Sequence, residues 1–568
     1  MLFSITDIIM SIRSFFEHDL AERPENIFVT YREDGEIRSR TYAESGKRVA
    51  RISELVASIG IEPRKAPVAI ILENSPVWIE IYLGVSSLAI PIVPVDPKLR
   101  AGEIEYMMGD SGAVAIITDA KHSGVLKEIA PRLPKLKAFI FTDGEKNGAP
   151  GEIDGRPCLD LEKEMEKYAA KADGSDSVLK KVNVEEKDIA SIIYTSGTTG
   201  RPKGALLAHS NFCACVDGCV QLFPSLTDQD SFFVVLPLFH AFSFTTNFLV
   251  TIKMGCSACF ATSLRTIPED MRDMHPSLMM SVPLMVEKIY AKIQDGLKKS
   301  FGGRILMALG LRGLTAYFVC KTLGGRLRLL IVGGAPCSAK LLKSMRKMHL
   351  PIIEGYGLTE ASPVVSVSQI DNVHVGTIGI PLPNVEVKIG DMGPNGVGEL
   401  LIRGPTIFQS YLNNPEATAE TKEPEGWLHT GDLVSQDSDG FLTIRGRRKS
   451  LIVNREGKNI YPEEVETCIG HDRRIQDVVV IGYSDTPEEV GEKVGAIVVP
   501  NMDAFKDSAG RMPSWEIIEE KTRKVALKCC NKLAAYKVPR KIEVYREPLE
   551  RTSTQKVRRY LYQGKLNG

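Results

Sequence analysis

The sequence predicts an α/β protein. It has a large N-terminal domain of doubly wound sheets with a small β-rich subdomain, followed by an α+β C-terminal domain. Three observations lead there. Short β-branched apolar runs alternate with amphipathic stretches through the first 200 residues, the pattern of a parallel sheet covered by helices. Residues 376–445 change to short strand-like runs broken by Pro/Gly turns such as Gly393-Pro394-Asn395-Gly396. Beyond Gly446 strand and helix signals mix again. A length of 568 residues exceeds one ordinary domain.

Taken in order, residues 68–72 (Val-Ala-Ile-Ile-Leu) read as a strand. Residues 76–89 read as a helix with Ser75 as its cap and Pro76 at its first position. Strand 92–95, helix 100–111 and strand 114–118 repeat the alternation. Residues 143–188 are polar, hold Asn147-Gly148 and Gly151, and read as a surface excursion. The apolar run 189–194 is a buried strand, and so is 329–332. In the β-rich region the expected strands are 376–380, 385–389, 398–403 and 441–445. The last part offers strands 478–482 and 496–499 and a helix over 514–530. These assignments divide the chain into 1–445, with the β-rich subdomain at 376–445, and 446–568, with the boundary near 445–449.

Composition narrows the function. Hydrophobic residues make up 43% and charged residues 25%, as in a soluble globular protein. Formal net charge is zero, so the overall balance gives no support to a nucleic-acid partner. Residues 1–16 lack a basic start, a long apolar core and a small-residue cleavage site, so no signal peptide is expected. The most apolar stretch, 232–261, is interrupted by His240, Asn247 and Lys253, which argues against a spanning helix. Eleven cysteines without an export signal suggest a reducing compartment. The expected location is therefore cytoplasmic. Cys213, Cys215, Cys219, Cys256 and Cys259 lie in apolar stretches at spacings that miss paired zinc patterns, and read as small buried hydrophobes.

The chemistry is concentrated in residues 195–204, Thr-Ser-Gly-Thr-Thr-Gly-Arg-Pro-Lys-Gly, directly after the buried strand. Glycines let backbone N–H groups turn toward an anion, the hydroxyls of Thr195, Ser196, Thr198 and Thr199 donate to phosphate oxygens, and Lys203 adds charge. No Gly-Lys-Ser/Thr runs into a helix and Pro202 interrupts, so this is not the common mononucleotide loop. Six further segments follow: 236–242 (Leu-Pro-Leu-Phe-His-Ala-Phe), Gly333-Gly334-Ala335-Pro336, 354–360 (Glu-Gly-Tyr-Gly-Leu-Thr-Glu), 427–432 (Trp-Leu-His-Thr-Gly-Asp), 446–464 (beginning Gly-Arg-Arg-Lys-Ser) and 548–559 around Lys556.

In order and content these seven segments resemble the adenylate-forming superfamily of acyl-CoA synthetases, firefly luciferase and peptide-synthetase adenylation domains. The resemblance runs over residues 20–560 and is strongest to medium- and long-chain fatty acyl-CoA synthetases. It implies that Thr195, Ser196, Gly197, Thr198, Thr199, Gly200 and Lys203 wrap the ATP triphosphate, and that Gly334, Ala335 and Pro336 pack against adenine. In the 354–360 segment (Glu354, Gly355, Tyr356, Gly357, Thr359, Glu360), Tyr356 stacks on the base and Thr359 reaches the α-phosphate. Glu360, with the Thr195 hydroxyl, binds Mg²⁺. It further implies that Asp432 accepts the ribose hydroxyls, Arg447 contacts ribose or phosphate, and Lys449 is the hinge of a mobile C-terminal domain. Gly457 would then face the pantetheine of CoA, and Lys556 drives adenylation. His240 is either an acyl-pocket residue, as the family pattern implies, or a satisfied core histidine. Two departures stand out. Gln555 replaces the common family glycine before the lysine, and the hinge-to-Gly457 spacing is one residue longer than in luciferase-like members.

The implied reaction has two steps. A carboxylate attacks the ATP α-phosphate to give an acyl-adenylate and pyrophosphate, and a thiol then displaces AMP. The catalytic set is Lys556, Glu360, Thr195 and His240, and ATP, Mg²⁺ and CoA are the cofactors and co-substrates. The Leu/Phe-rich stretch 232–248 fits an apolar acyl channel, so a fatty acid is the expected substrate. An acyl carrier protein is the competing acceptor, and a non-catalytic nucleotide- or lipid-binding relative is the remote alternative. No Gly-x-Ser-x-Gly elbow supports a serine hydrolase. Residues 296–353 contain eleven Lys/Arg and no acidic residue. That stretch reads as a solvated basic face, a contact with anionic membrane, or a holder of CoA phosphates.

Overall fold

The computed structural model describes residues 11–195, 201–299, 320–348, 350–393, 395–486, 491–507, 510–551 and 557–567. The chain forms two compact units. The first comprises residues up to Glu386 together with Ile402–Leu428, and the second comprises Val387–Leu401 and His429–Gly568.

Two large sheets build the first unit. The eight-stranded sheet has at its centre Val68–Ile71, flanked by Ile92–Val95 and Ala115–Thr118, all parallel. Every residue of these three strands is buried, which is what a sheet covered on both faces demands. One face packs under the Ala101–Ser111 helix through Ile104, Met107 and Met108, next to Ala69, Ile71, Val93 and Val95. Across the other runs the Pro76–Ser86 helix, started by Pro76 and by the Ser75 hydroxyl accepting from Trp78 N.

The nine-stranded sheet is parallel through Ser257–Phe260, Ser231–Val234, Leu278–Ser281, Leu329–Val332 and Ile352–Gly357. Successive side chains of these strands alternate between its faces. Phe233, Met279 and Leu330 join a core with Met271, Leu342 and Met345. Phe232, Leu278, Met280, Leu329 and Ile331 face the opposite side.

In the second unit Glu386–Gly390, Gly398–Arg403, Leu428–Gln436 and Leu442–Arg447 form a four-stranded sheet whose outermost residues lie at the unit boundary. A three-stranded sheet, Ile475–Tyr483, Lys493–Pro500 and Lys541–Val544, packs on the Trp515–Cys529 helix.

Two expectations change. The excursion 143–188 is not only surface loop, because the strand Arg156–Asp160 pairs in parallel with Ala138–Phe141 and the hairpin to Glu152–Ile153 extends the sheet. The strand expected at 376–380 shrinks to Ile380–Pro381, since Gly376 and Gly379 adopt φ of +97° and +81°, outside strand geometry. The β-rich segment is shared between the units: 376–386 and 402–428 group with the first, 387–401 and 429–445 with the second. Lys449 lies inside the second unit because the Leu442–Arg447 strand packs against the Pro462–Gly470 helix on its far side. A Cβ on Gly446 would sit 3.0 Å from the Tyr461 ring, so that contact is close.

Among the described residues no helix is long and apolar enough to cross a membrane. The apolar segment 232–261 forms two buried strands around a buried π-helical turn, Phe244–Leu249. Its Cys256 and Cys259, with Cys213, Cys215 and Cys219, are buried, and burial pushes the Cys259 thiol up to about 12.

Candidate active site

The phosphate loop begins where the strand Ile189–Thr195 ends and returns as Lys203–Ala208. These strands pair antiparallel with Thr195 opposite Lys203, so the two ends of the loop are held at one point. Ser196, Gly197, Thr198, Thr199 and Gly200 lie outside the described residues. Beyond the loop, residues 409–412 run along the free side of Lys203–Ala208. Leu206 N donates to Ser410 O at 2.9 Å and Leu412 N to Gly204 O at 2.7 Å. This added segment delivers Tyr411. Its ring lies 5.2 Å from Lys203 Nζ, and its hydroxyl donates to Glu360 Oε1 at 2.6 Å. Phe408 N, in the same segment, donates to Glu360 O at 2.8 Å. Burial, then the adjacent Glu360 carboxylate, raises the Tyr411 hydroxyl pKa far above its ordinary value, so it stays a donor at any physiological pH.

Lys203 and Glu360, distant in sequence, are thus linked through Tyr411, which the motif pattern did not single out, and Thr195 stands opposite Lys203 in the ladder. The donor set suits Mg²⁺. It offers one carboxylate and one hydroxyl, hard oxygens that leave the remaining positions to water and phosphate oxygens. No group of three or more His, Cys, Asp or Glu able to hold a metal by itself occurs among the described residues.

The segment 354–360 ends the Ile352–Gly357 strand. Tyr356 pairs with Ser366 across an antiparallel ladder, and a Cβ on Gly357 would come within 1.9 Å of Pro363 O, so only glycine fits. Thr359 and Glu360 follow on a short 3₁₀ turn. Gly334, with φ +81°, begins an exposed turn through Ala335 and Pro336. Glu354 does not point away from this turn. It accepts from Cys337 N at 3.3 Å, which ties the turn to the strand, and burial pushes its pKa up to about 7.

Below the turn lies an apolar cavity that opens to solvent. Gly333, Gly334 and Gly355 to Gly357 line it at the C-terminal ends of their strands. Phe232, Leu278 and Leu329 line it at the N-terminal ends, beside Phe223 and Leu226. Cys219, one helical turn before Phe223, and Met280 line the middle. Of the expected channel stretch 232–248, Phe232, Phe242 and Thr246 face the cavity. Phe244 instead packs on Tyr82 and Phe212, with centroids 4.5 and 5.1 Å away. His240 caps the short Ala241–Ser243 helix with its ring 4.5 Å from that of Phe239, and is not part of the cavity wall. Asn74 holds this segment, donating to Leu236 O and accepting from Leu238 N.

In the second unit Asp432 stands opposite Arg447 in the ladder between Leu428–Gln436 and Leu442–Arg447, with Asp432 Oδ1 2.9 Å from Arg447 Nε. Asp432 is buried. Gly457, with φ +73°, closes an exposed turn in which the Asn454 side chain accepts from Glu456 N and Lys458 N. Nothing approaches the Gly457 Cα within 4 Å of where a Cβ would stand, so backbone conformation rather than crowding calls for glycine. Lys556 lies outside the described residues, as does part of the basic stretch 296–353. Of its described members, Arg328 pairs with Asp230 at 2.6 Å.

Known proteins share the sequence and the fold of this chain. The chain is 28% identical over 520 residues to a long-chain-fatty-acid–CoA ligase of Mycobacterium bovis, covering 86% of this chain and 82% of the relative. It is 29% identical over 518 residues to a feruloyl-CoA synthase of an Amycolatopsis species, covering 89% of each. Among solved structures, an anthranilate-CoA ligase in complex with anthranoyl-AMP superposes with a TM-score of 0.78 at 21% identity over 98% of this chain and 97% of the other. The Bacillus subtilis o-succinylbenzoate-CoA synthetase with ATP and magnesium ion gives 0.73 at 22% identity, over 96% and 98%. Those likenesses establish the fold. A model of the AMP-binding enzyme family matches residues 16–412, more than half of the chain, and the protein therefore belongs to the AMP-binding enzymes.

Proposed function

We propose that this enzyme is a fatty acid–CoA ligase. It would join a fatty acid to ATP as an acyl-adenylate with release of pyrophosphate, and then pass the acyl group to the thiol of CoA with release of AMP. The observation that carries the fatty-acid reading is the cavity. Its wall is apolar, and its mouth is formed by the Gly333–Gly334 and Gly355–Gly357 turns that the family pattern assigns to the nucleotide. A carboxylate at the mouth would meet the α-phosphate while its hydrocarbon tail fills the cavity. The relatives named as fatty acid–CoA ligases support the same substrate class.

Each residue has a physical task in this reading. Lys203 and the loop hydroxyls hold phosphate oxygens, and Tyr356 provides a face for the base. Thr195 and the carboxylate of Glu360, oriented by Tyr411, would hold Mg²⁺, which when bound neutralises charge on the phosphates. Asp432 accepts the ribose hydroxyls, and Lys556 supplies positive charge to the adenylation step. Rotation of the C-terminal residues about Lys449 would exchange Lys556 for the Gly457 turn, so that one site serves two reactions in sequence.

The cavity also suggests a length. It runs along four-residue strands, about 13 Å at the rise of a parallel strand. A zigzag of 1.5 Å carbon–carbon bonds advances about 1.3 Å per carbon, so roughly ten carbons fit.

Mass spectrometry of products from ATP, Mg²⁺ and an equimolar set of C2–C20 acids plus ferulate, with and without CoA, tests the reading. Acyl-CoA from a band centred near ten carbons is the expected result. Feruloyl-CoA alone would replace the substrate class. Acyl-adenylate that accumulates in the presence of CoA would replace the acceptor, with a carrier-protein thiol next to try.

A further inference from the structure

In the second unit one buried carboxylate organises the turn that carries Asp432. Glu399, on the Gly398–Arg403 strand, has a side chain only 5% exposed. Its Oε1 accepts from Gly431 N at 3.1 Å. Its Oε2 lies 3.1 Å from His429 Nδ1 and accepts from Arg448 Nη1 at 2.6 Å. Next to it the Thr430 hydroxyl donates to Leu400 O at 2.7 Å and accepts from Asp432 N at 3.1 Å. Gly431, between them, has φ +70°, a conformation that leaves its N–H directed at Glu399 and not into the ladder. His429, Gly431 and Arg448 thus converge on one carboxylate, and Arg448 is the residue before Lys449.

We infer that Glu399 is the positioning residue for nucleotide binding at Asp432. It fixes the 429–432 turn from behind and clamps that turn to the chain just before the expected pivot, so that the Asp432 carboxylate is already aimed when ribose arrives. The inference rests on Asp432 as the ribose contact. A buried carboxylate is costly unless its oxygens are satisfied, and here three donors from the turn and the 442–450 segment satisfy it. Removing the charge frees Arg448 and His429 and loosens the turn, without touching any group assigned to the phosphates or the acyl chain. A positioning defect of this kind weakens nucleotide binding more than it slows turnover.

The test measures ATP·Mg²⁺ affinity by competition with a fluorescent ATP analogue, alongside steady-state kinetics, for Glu399→Gln, Arg448→Met, Thr430→Val and Asp432→Ala. Glu399→Gln keeps an acceptor for Gly431 N but loses the charge facing Arg448. Its Kd and KM for ATP should rise about tenfold, the equivalent of one charge-assisted hydrogen bond, with kcat within threefold and the acid KM unchanged. Arg448→Met and Thr430→Val should each show the same split to a smaller degree, which keeps the test alive if Glu399→Gln folds poorly. If Asp432→Ala weakens ATP binding while the three supporting variants leave it unchanged, Glu399 is a structural residue and the inference falls. Equal loss of kcat in all substrates with a lowered Tm and constant KM would say the same. If Asp432→Ala itself leaves ATP affinity unchanged, the ribose assignment fails and takes this inference with it, whatever acid the enzyme uses.

Discussion

Chain-length selectivity offers the sharpest check on the acyl cavity. Each methylene moved from water into an apolar cavity contributes about 0.8 kcal/mol, close to a fourfold gain in kcat/KM. The rate constant for saturated acids should therefore climb about fourfold per carbon and level off near ten carbons, where the floor made by Phe223, Leu226, Phe232, Leu278 and Leu329 is reached. Cys219→Phe places a ring in the middle of the cavity beside Met280, two strand residues above Leu278. The lost depth spans two strand residues, about 7 Å. At about 1.3 Å per carbon this removes roughly five carbons of capacity. The plateau should move to about five carbons, and kcat/KM for a C10 acid should fall by about 4 kcal/mol, roughly a thousandfold, while C4 is spared. Pyrophosphate release measured across C4–C16 acids reads both curves. An unchanged profile in the variant, or a uniform fall that includes C4, would mean the acyl chain does not lie along these strands.

Other outcomes test the nucleotide side. Tyr411→Phe keeps the ring beside Lys203 but removes the hydrogen bond to Glu360. The Mg²⁺ concentration for half-maximal pyrophosphate release should rise about tenfold, and an unaltered Mg²⁺ requirement would remove Tyr411 from the site. Glu354 has a folded pKa raised to about 7 from an ordinary carboxyl value, so the folded state holds a proton that the unfolded state has lost. Its contribution to stability is therefore full below the unfolded value and declines as pH rises toward 7. Glu354→Gln, which keeps an acceptor for Cys337 N, should raise Tm at pH 8 relative to the parent and converge with it near pH 5. The opposite ordering in thermal melts would contradict the assignment. Lys556→Ala should lose acyl-adenylate formation by ~10²-fold yet still convert pre-formed acyl-adenylate to thioester, and an equal loss in both halves would argue against two alternating orientations.

Legibility followed the range over which a signal acts. The Pro76–Ser86 helix was readable because its cap, its first proline and its apolar face lie in one short stretch. The parallel strands are readable because burial on both faces writes itself as a short run without a polar residue, Val-Ala-Ile-Ile and Ile-Val-Pro-Val. Glycine positions such as Gly357 could be quoted as motif members, but the reason, a carbonyl of Pro363 where a Cβ would stand, exists only in three dimensions. Tyr411 and Glu399 gave no sequence sign at all. Each acts through partners fixed by strand pairing, 51 residues away for Tyr411 and Glu360, and through a turn on the neighbouring strand for Glu399. The strand expected at 376–380 is cut short because Gly376 and Gly379 take positive φ, which the apolar pattern does not encode. Phe244 shows the limit of counting apolar residues toward a channel, since the same stretch must also build the wall behind it.

The segment 409–412 has one more consequence. An exposed strand edge is a template for pairing with another chain. At one side of the eight-stranded sheet, residues 409–412 occupy the edge of Lys203–Ala208. At the other side the sheet tapers to the two-residue strand Glu152–Ile153, tied off by a tight Asp154-Gly155 turn with both φ angles positive. One margin is covered and the other has almost no length to offer. A sheet with so little open margin resists edge-to-edge association as it emerges during folding. Deleting or loosening residues 409–412 would therefore cost solubility as well as the Glu360 contact.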